Sequence, residues 1–145
     1  MKFTAEHYLE AAREKINDAR ILYNNKRFAS AIYFSGVAVE CLLRAYRTRI
    51  KKEFYERHDL PSLLKASAIA EFVLEKNQRE FFSAFGELWV RWKNDYRYAS
   101  ENRLKSDFIN KDLHKGLKGQ IVKYNSKVAL EGAEKVVSLG VLRWH

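Results

Sequence analysis

Residues 35–46 read Ser-Gly-Val-Ala-Val-Glu-Cys-Leu-Leu-Arg-Ala-Tyr, a run apolar enough to be a buried helix that nonetheless carries a carboxylate, Glu40. An unpaired carboxylate in an apolar interior is very costly, so whatever fold buries this helix must bring a partner to Glu40. Two sources are open. Arg44 lies one helical turn on and can satisfy it locally. Alternatively, Arg97, in the segment Trp-Lys-Asn-Asp-Tyr-Arg-Tyr at residues 92–98, reaches it from another element.

The rest of the chain suits a helical answer. One proline and six glycines in 145 residues are poor material for hairpins, whereas helix-forming residues are plentiful. The length and the 47% hydrophobic content suffice for one core, and a single domain over residues 1–145 is expected. Apolar residues at three- and four-residue steps predict a first helix over residues 4–24, with Thr4 as its cap and Tyr8, Ala12, Ile16, Ala19 and Tyr23 inward. A turn at 24–27 leads into a second helix over 28–55, its inner face running from Phe28 through Ile32, Val39 and Tyr46 to Ile50. Gly36 costs that helix about 1 kcal/mol against alanine, a cost that close approach of a neighbour would offset. Asp59 and Pro61 open a third, short helix reaching about residue 73. A fourth, over 76–94, carries Phe81, Phe82, Phe85, Leu88, Trp89 and Trp92 as a wide aromatic face. A short helix from Ser106 and a last one over 121–142, with Tyr124 and Val128 among its inward residues, complete the pattern. The expected fold is all-α, an antiparallel up-and-down bundle of four to five helices.

Composition also limits function. Lys and Arg outnumber Asp and Glu by 27 to 18, a net charge of +9 that favours acidic partners, nucleic acid first. Between Arg91 and Lys127 there are ten Lys or Arg against four Asp or Glu. A lone cysteine, Cys41, and the absence of a signal peptide pattern at the N-terminus point to the cytoplasm. No uncharged apolar run approaches the roughly 20 residues of a membrane span. No His, Cys or carboxylate pair has metal-ligand spacing and no glycine-rich phosphate loop follows a strand, so neither metal nor cofactor is expected.

In order and spacing, several segments resemble the HEPN domains (higher eukaryotes and prokaryotes nucleotide-binding), small up-and-down helical bundles. They are Ala-Ser-Ala-Ile-Tyr-Phe at 29–34 running into residues 36–46, then His58-Asp59-Leu60, then Trp92 with Arg97-Tyr98. The resemblance implies association with RNA or nucleotides, homodimers, and a nucleotidyltransferase protein as partner in a toxin–antitoxin-type system. Ribonucleases of the family carry Arg followed by four to six residues and then His. This chain departs from that pattern: none of His7, His58, His114 and His145 has an arginine five to seven positions before it. With Arg97 in the arginine's place, the following positions supply Asn102, Arg103 and Leu104, none of which titrates near neutral pH.

The reading from these residues is a non-catalytic binding protein. Arg97 contacts phosphate, Glu40 holds Arg97, Tyr98 stacks on a base, and Asn102, Arg103 and Lys105 complete the site. Arg44, Arg47, His58 and Tyr96 are secondary candidates. The plainer structural explanations are a buried ion pair for Glu40, the negative end of a helix dipole for Arg44 and Arg47, a helix start for His58, and core packing for Tyr98 together with Trp92. Two other functions compete. One is a metal-independent ribonuclease using His58 or His114. The other is a module docking a partner through an apolar helix face.

Overall fold

The computed structural model describes residues 2–144. His145 of the sequence reading lies outside them. The described residues form six α-helices: α1 (Ala5–Asn24), α2 (Phe28–Ile50), α3 (Leu60–Ser67), α4 (Gln78–Trp89), α5 (Glu101–Asn110) and α6 (Ile121–Leu142). Three short 3-10 turns, Ile69–Glu71, Glu75–Asn77 and Asn94–Tyr98, join them, and no strand occurs among the described residues. The up-and-down bundle stands as expected, with one helix more.

α1 starts where Thr4 caps it. Thr4 Oγ1 accepts from the His7 backbone N–H at 3.1 Å and His7 Nδ1 accepts from the Thr4 N–H at 3.0 Å, a capping box in which histidine replaces the usual glutamate. α2 follows across residues 25–27 and packs along α1. It is long and apolar enough to cross a membrane, but its apolar residues face the bundle: Ile32, Val39, Leu42 and Leu43 are fully buried by α1, α3 and α6. α6 closes the core between α2 and α4. Tyr46 Oη donates to the Gly140 carbonyl at 2.7 Å, and Arg20 on α1 holds Glu134 on α6 with two bonds of 3.0 and 2.6 Å. At Gly132 a side chain would strike the Ala84 carbonyl, so glycine sets how closely α6 approaches α4.

Tertiary contacts shorten or lengthen the predicted helices. α2 ends at Ile50 rather than near residue 55, because Lys51 turns extended and sends residues 51–59 back along the bundle. α3 stops at Ser67, before residue 73, where Ala68 takes a left-handed conformation (φ 55°). α4 gives way after Trp89, short of residue 94, so that Arg91 and Trp92 can turn into the core. α5 starts five residues before Ser106, because Ser100 Oγ caps it by accepting from the Arg103 N–H. Of the residues expected to face inward, Ile50, Phe82, Trp89 and Tyr124 are exposed.

Candidate functional site

Glu40 finds its partners close to home. Arg44 Nε donates to Glu40 Oε2 at 2.9 Å, and His58 Nδ1 lies 2.9 Å from the same oxygen. The carboxylate side chain is 12% exposed and that of Arg44 6%, whereas His58 is half-exposed. Arg44 also donates to the Tyr55 carbonyl (2.7 Å) and the Arg57 carbonyl (3.0 Å), and its guanidinium lies 4.4 Å from the Phe54 ring centre. With Nδ1–H given to the carboxylate, that nitrogen cannot accept from Arg44, so the 3.3 Å approach between them is contact without a bond. The cluster therefore ties the returning segment 51–59 to α2. Asp59 caps α3 by accepting from the Ser62 N–H, as its sequence position suggests.

Arg97 is not among the partners of Glu40, and the expected acid–arginine pair does not form. The reason is topological. Residues 51–59 fold back over the C-terminal half of α2 and bring Arg44 and His58 to the carboxylate, while residues 94–98 pack lower on α2, beside Trp92. Arg97 instead lies over the ring of its neighbour Tyr98, 4.8 Å from the centroid, and both are exposed, Tyr98 at 78%.

The two tyrosines flanking Arg97 have opposite fates. Tyr96 is buried; its hydroxyl donates to Asp107 Oδ2 at 2.6 Å and accepts from Lys111 Nζ at 3.0 Å, and its ring meets Phe108 edge-on. It belongs to the core, not to a stacking surface. Arg91 is likewise withdrawn from the cationic surface: it is buried, with Nε bonded to Asn125 and its other end to Glu87. Tyr98, Arg103 and Lys93 surround a hollow of about 500 Å³, with Asp95 and Asp107 on its wall. Asn102 and Lys105 are exposed on α5, outside the lining of that hollow. The candidate residues thus fall into two groups. Glu40, Arg44 and His58 form one cluster, with Arg47 a turn along α2. Tyr98 and Arg103, with Arg97 stacked on Tyr98, mark the other.

Sequence reasoning missed Asp107 and Asn125. Asp107 was signalled by its four-residue spacing to Arg103 on α5 and to Lys111 just past its end. Asn125 is buried and accepts from Arg91 while donating to the Leu113 and Ile121 carbonyls, a three-bonded amide with no sequence signature. Glu101 was missed too: it accepts from the Phe28 N–H at 3.0 Å and caps α2 from a distant helix.

The Tyr96 hydroxyl bond, reinforced by Lys93 and Lys111, holds the Asp107 carboxyl below the usual carboxylate range against the opposing effect of burial. Burial, then the bond to Asp107, pushes the Tyr96 hydroxyl upward. Asp107 therefore contributes stability above its unfolded pKa of about 4, and that contribution disappears as pH falls through the lower folded value. Tyr96 acts on the opposite flank, its contribution fading above its unfolded value of about 10. Urea midpoints measured from pH 7 to pH 3 should fall for the wild type and fall less steeply for Asp107→Asn; equal slopes would remove Asp107 from this role.

Other groups have limited chemistry. Burial, then the Glu40 charge, pushes the Cys41 thiol up to about 11, which leaves it protonated and weakly nucleophilic at neutral pH. His114 is half-buried with Nδ1 sealed and unbonded. Among the described residues, no group of three or more His, Cys, Asp or Glu is placed to hold a metal ion.

Comparison with known proteins agrees with the helical order. No curated protein and no solved structure matches the chain. The family model of the HEPN domain matches residues 5–144, from the first residue of α1 to past the end of α6. The chain belongs to the HEPN domain family.

Proposed function

We propose that this protein binds RNA or a nucleotide without cleaving it, through the corner formed by the Asn94–Tyr98 turn and α5. The observation that carries this reading is Tyr98, a ring 78% exposed with a guanidinium stacked on it, beside a hollow lined by Lys93 and Arg103 together with Asp95 and Asp107. Core packing does not account for such a ring, since Tyr96 already fills the core at this position. Unpaired bases stack on exposed aromatic rings while nearby cations follow the phosphates, and Arg97, Arg103 and Lys93 supply those cations. Asn102 and Lys105 extend the surface along α5.

The non-catalytic part of the reading rests on the hollow's lining. It contains no histidine, and its Asp107 is held ionised by Tyr96, Lys93 and Lys111, which suits it poorly for donating a proton. Glu40 is better read as the anchor of Arg44 and His58 than as a ligand contact. Family membership alone supports the remaining parts of the proposal: one HEPN domain over the chain, a cytoplasmic homodimer, and a nucleotidyltransferase partner of the toxin–antitoxin type.

Fluorescence anisotropy with a short single-stranded RNA tests the site. Affinity should fall as salt rises, because phosphate contacts release counterions. Tyr98→Ala should weaken binding about 5- to 100-fold, the worth of one stacked base, and Arg97→Ala should reduce the salt slope by about 1. Unchanged affinity in both variants would sink the proposed site. RNA cleavage that His58→Ala abolishes without unfolding the protein would overturn the non-catalytic reading.

A further inference from the structure

Five of the six glycines have a reason within the chain. A Cβ at Gly36, Gly132 or Gly140 would strike a neighbour, and Gly116 and Gly119 hold positive φ. Gly86, in the middle of α4, has neither: nothing lies within 4 Å of the position a Cβ would take. The helix carries a cost of about 1 kcal/mol there for no contact in this molecule. Its neighbours on the same face are Phe82, Trp89 and Val90, at i−4, i+3 and i+4, and all three are exposed. With the glycine they form one apolar stripe with a bare notch at its centre, on the side of α4 opposite the buried Phe81, Phe85 and Leu88. Large apolar side chains scattered singly need no explanation, but a contiguous row of them marks an interaction surface.

The charge around the stripe says what kind of partner fits. Its C-terminal end opens into a hollow of about 530 Å³, lined by Trp89, Val90, Trp92 and Leu113 with Lys93 and Lys111, and by no carboxylate. The two lysines share a single anion, Asp107, at 3.8 and 3.9 Å, which leaves an excess of positive charge at the rim. The carboxylates of α4 that flank the stripe are engaged elsewhere: Glu80 with Lys135 on α6 at 2.7 Å, and Glu87 with Arg91 at 2.9 Å.

We propose that this face docks an amphipathic helix of another protein, apolar on the side it presents and acidic along its flank. A large aliphatic side chain of the partner enters the hollow, its backbone comes close over Gly86, and a carboxylate meets Lys93 and Lys111. Anchors one and two turns apart around a notch are the pattern by which one helix seats on another. A second copy of this chain is a poorer complement, since it carries the same excess of cations. Docking here does not depend on RNA binding at Tyr98. Lys93 lines both hollows, so the variants that test the face leave it untouched.

The probe is a synthetic helical peptide of about 18 residues, with leucines along one face and glutamates beside them, and a twin in which lysines replace the glutamates. Titrated calorimetrically into the full chain, the acidic peptide should bind at least about tenfold more tightly than its basic twin. Gly86→Gln should weaken that binding about tenfold or more by filling the notch, yet raise the thermal midpoint, because glutamine is the better helix former. A glycine with only a structural role would not separate those two readouts. Trp89→Ala should weaken binding about 30-fold, the usual loss at an aromatic anchor. Tyr98→Ala should leave it unchanged. The assignment is overturned if the acidic peptide does not bind, if both peptides bind alike, or if Gly86→Gln binds as the wild type does. It is also overturned if Gly86→Gln dissociates a homodimer in sedimentation, which gives the face to a second copy, or if it weakens single-stranded RNA binding, which gives the face to RNA.

Discussion

Replacing Arg44 with methionine should lower the free energy of unfolding by about 3–5 kcal/mol, the usual cost of removing one partner from a buried ion pair. The side chain is 6% exposed and its guanidinium serves three acceptors on two segments: Glu40 on α2, and the carbonyls of Tyr55 and Arg57 on the returning segment of chain. Methionine fills much of the volume but leaves Glu40 with His58 alone and both carbonyls unpaired. Lysine would not rescue the site, because a single ammonium cannot match a planar fork that donates in three directions. The double variant Glu40→Gln with Arg44→Met should be less damaged than the sum of the single changes, since it removes the stranded charge as well. Urea unfolding at pH 7 measures all three. A loss below about 1 kcal/mol for Arg44→Met would show that water satisfies these groups and that the cluster does not hold residues 51–59.

Gly36→Ala should destabilise the protein by about 2–4 kcal/mol, against the sign that helix propensity predicts. Alanine would gain about 1 kcal/mol over glycine in the middle of α2. Its Cβ, however, would fall inside the indole of Trp92. That ring is buried, and its Nε1 donates to the Tyr33 carbonyl at 3.0 Å, one turn before Gly36. Admitting a methyl group means moving the indole, losing the bond and disturbing the Tyr33 ring stacked near it at 6.5 Å. Overpacking and a stranded buried donor together exceed the propensity gain. Gly86→Ala is the control: α4 leaves nothing within 4 Å of a Cβ there, so that change should stabilise by about 1 kcal/mol. Thermal and urea unfolding of the two variants side by side should move in opposite directions. If both rise together, the indole is not seated as described.

The position of Gly36 shows how far local reading reaches. That glycine within an apolar helix signals a close neighbour follows from propensity alone. That the neighbour is Trp92, entering from beyond α4 rather than as part of a packed helix, depends on α4 ending at Trp89 so that residues 91–92 can turn inward. The aromatic face of α4 teaches the same lesson. Phe81, Phe85 and Leu88 keep one stripe and are buried, whereas Phe82 and Trp89 share the periodicity of a wider face that no partner covers. Caps were legible where they are local, at Thr4 and Asp59, and illegible where a distant residue provides one, as Glu101 does for α2. The local cap at Ser100 went unread because the helix it opens was placed too late.

What the sequence determined by itself was the helical class, the extent of α1 and α6, the burial of α2, and the requirement that Glu40 have a partner. Each follows from short-range physics: the 3.6-residue period, capping chemistry, and the cost of a bare charge in an apolar setting. Which partner Glu40 takes, which of Tyr96 and Tyr98 is buried, and which cations face solvent were decided by the tertiary structure. Those choices depend on where residues 51–59 and 94–98 lie against α2, and that is set by the packing of segments far apart in the chain. A local pattern carries the demand for an interaction; only the assembled bundle fixes the distances that select who meets it.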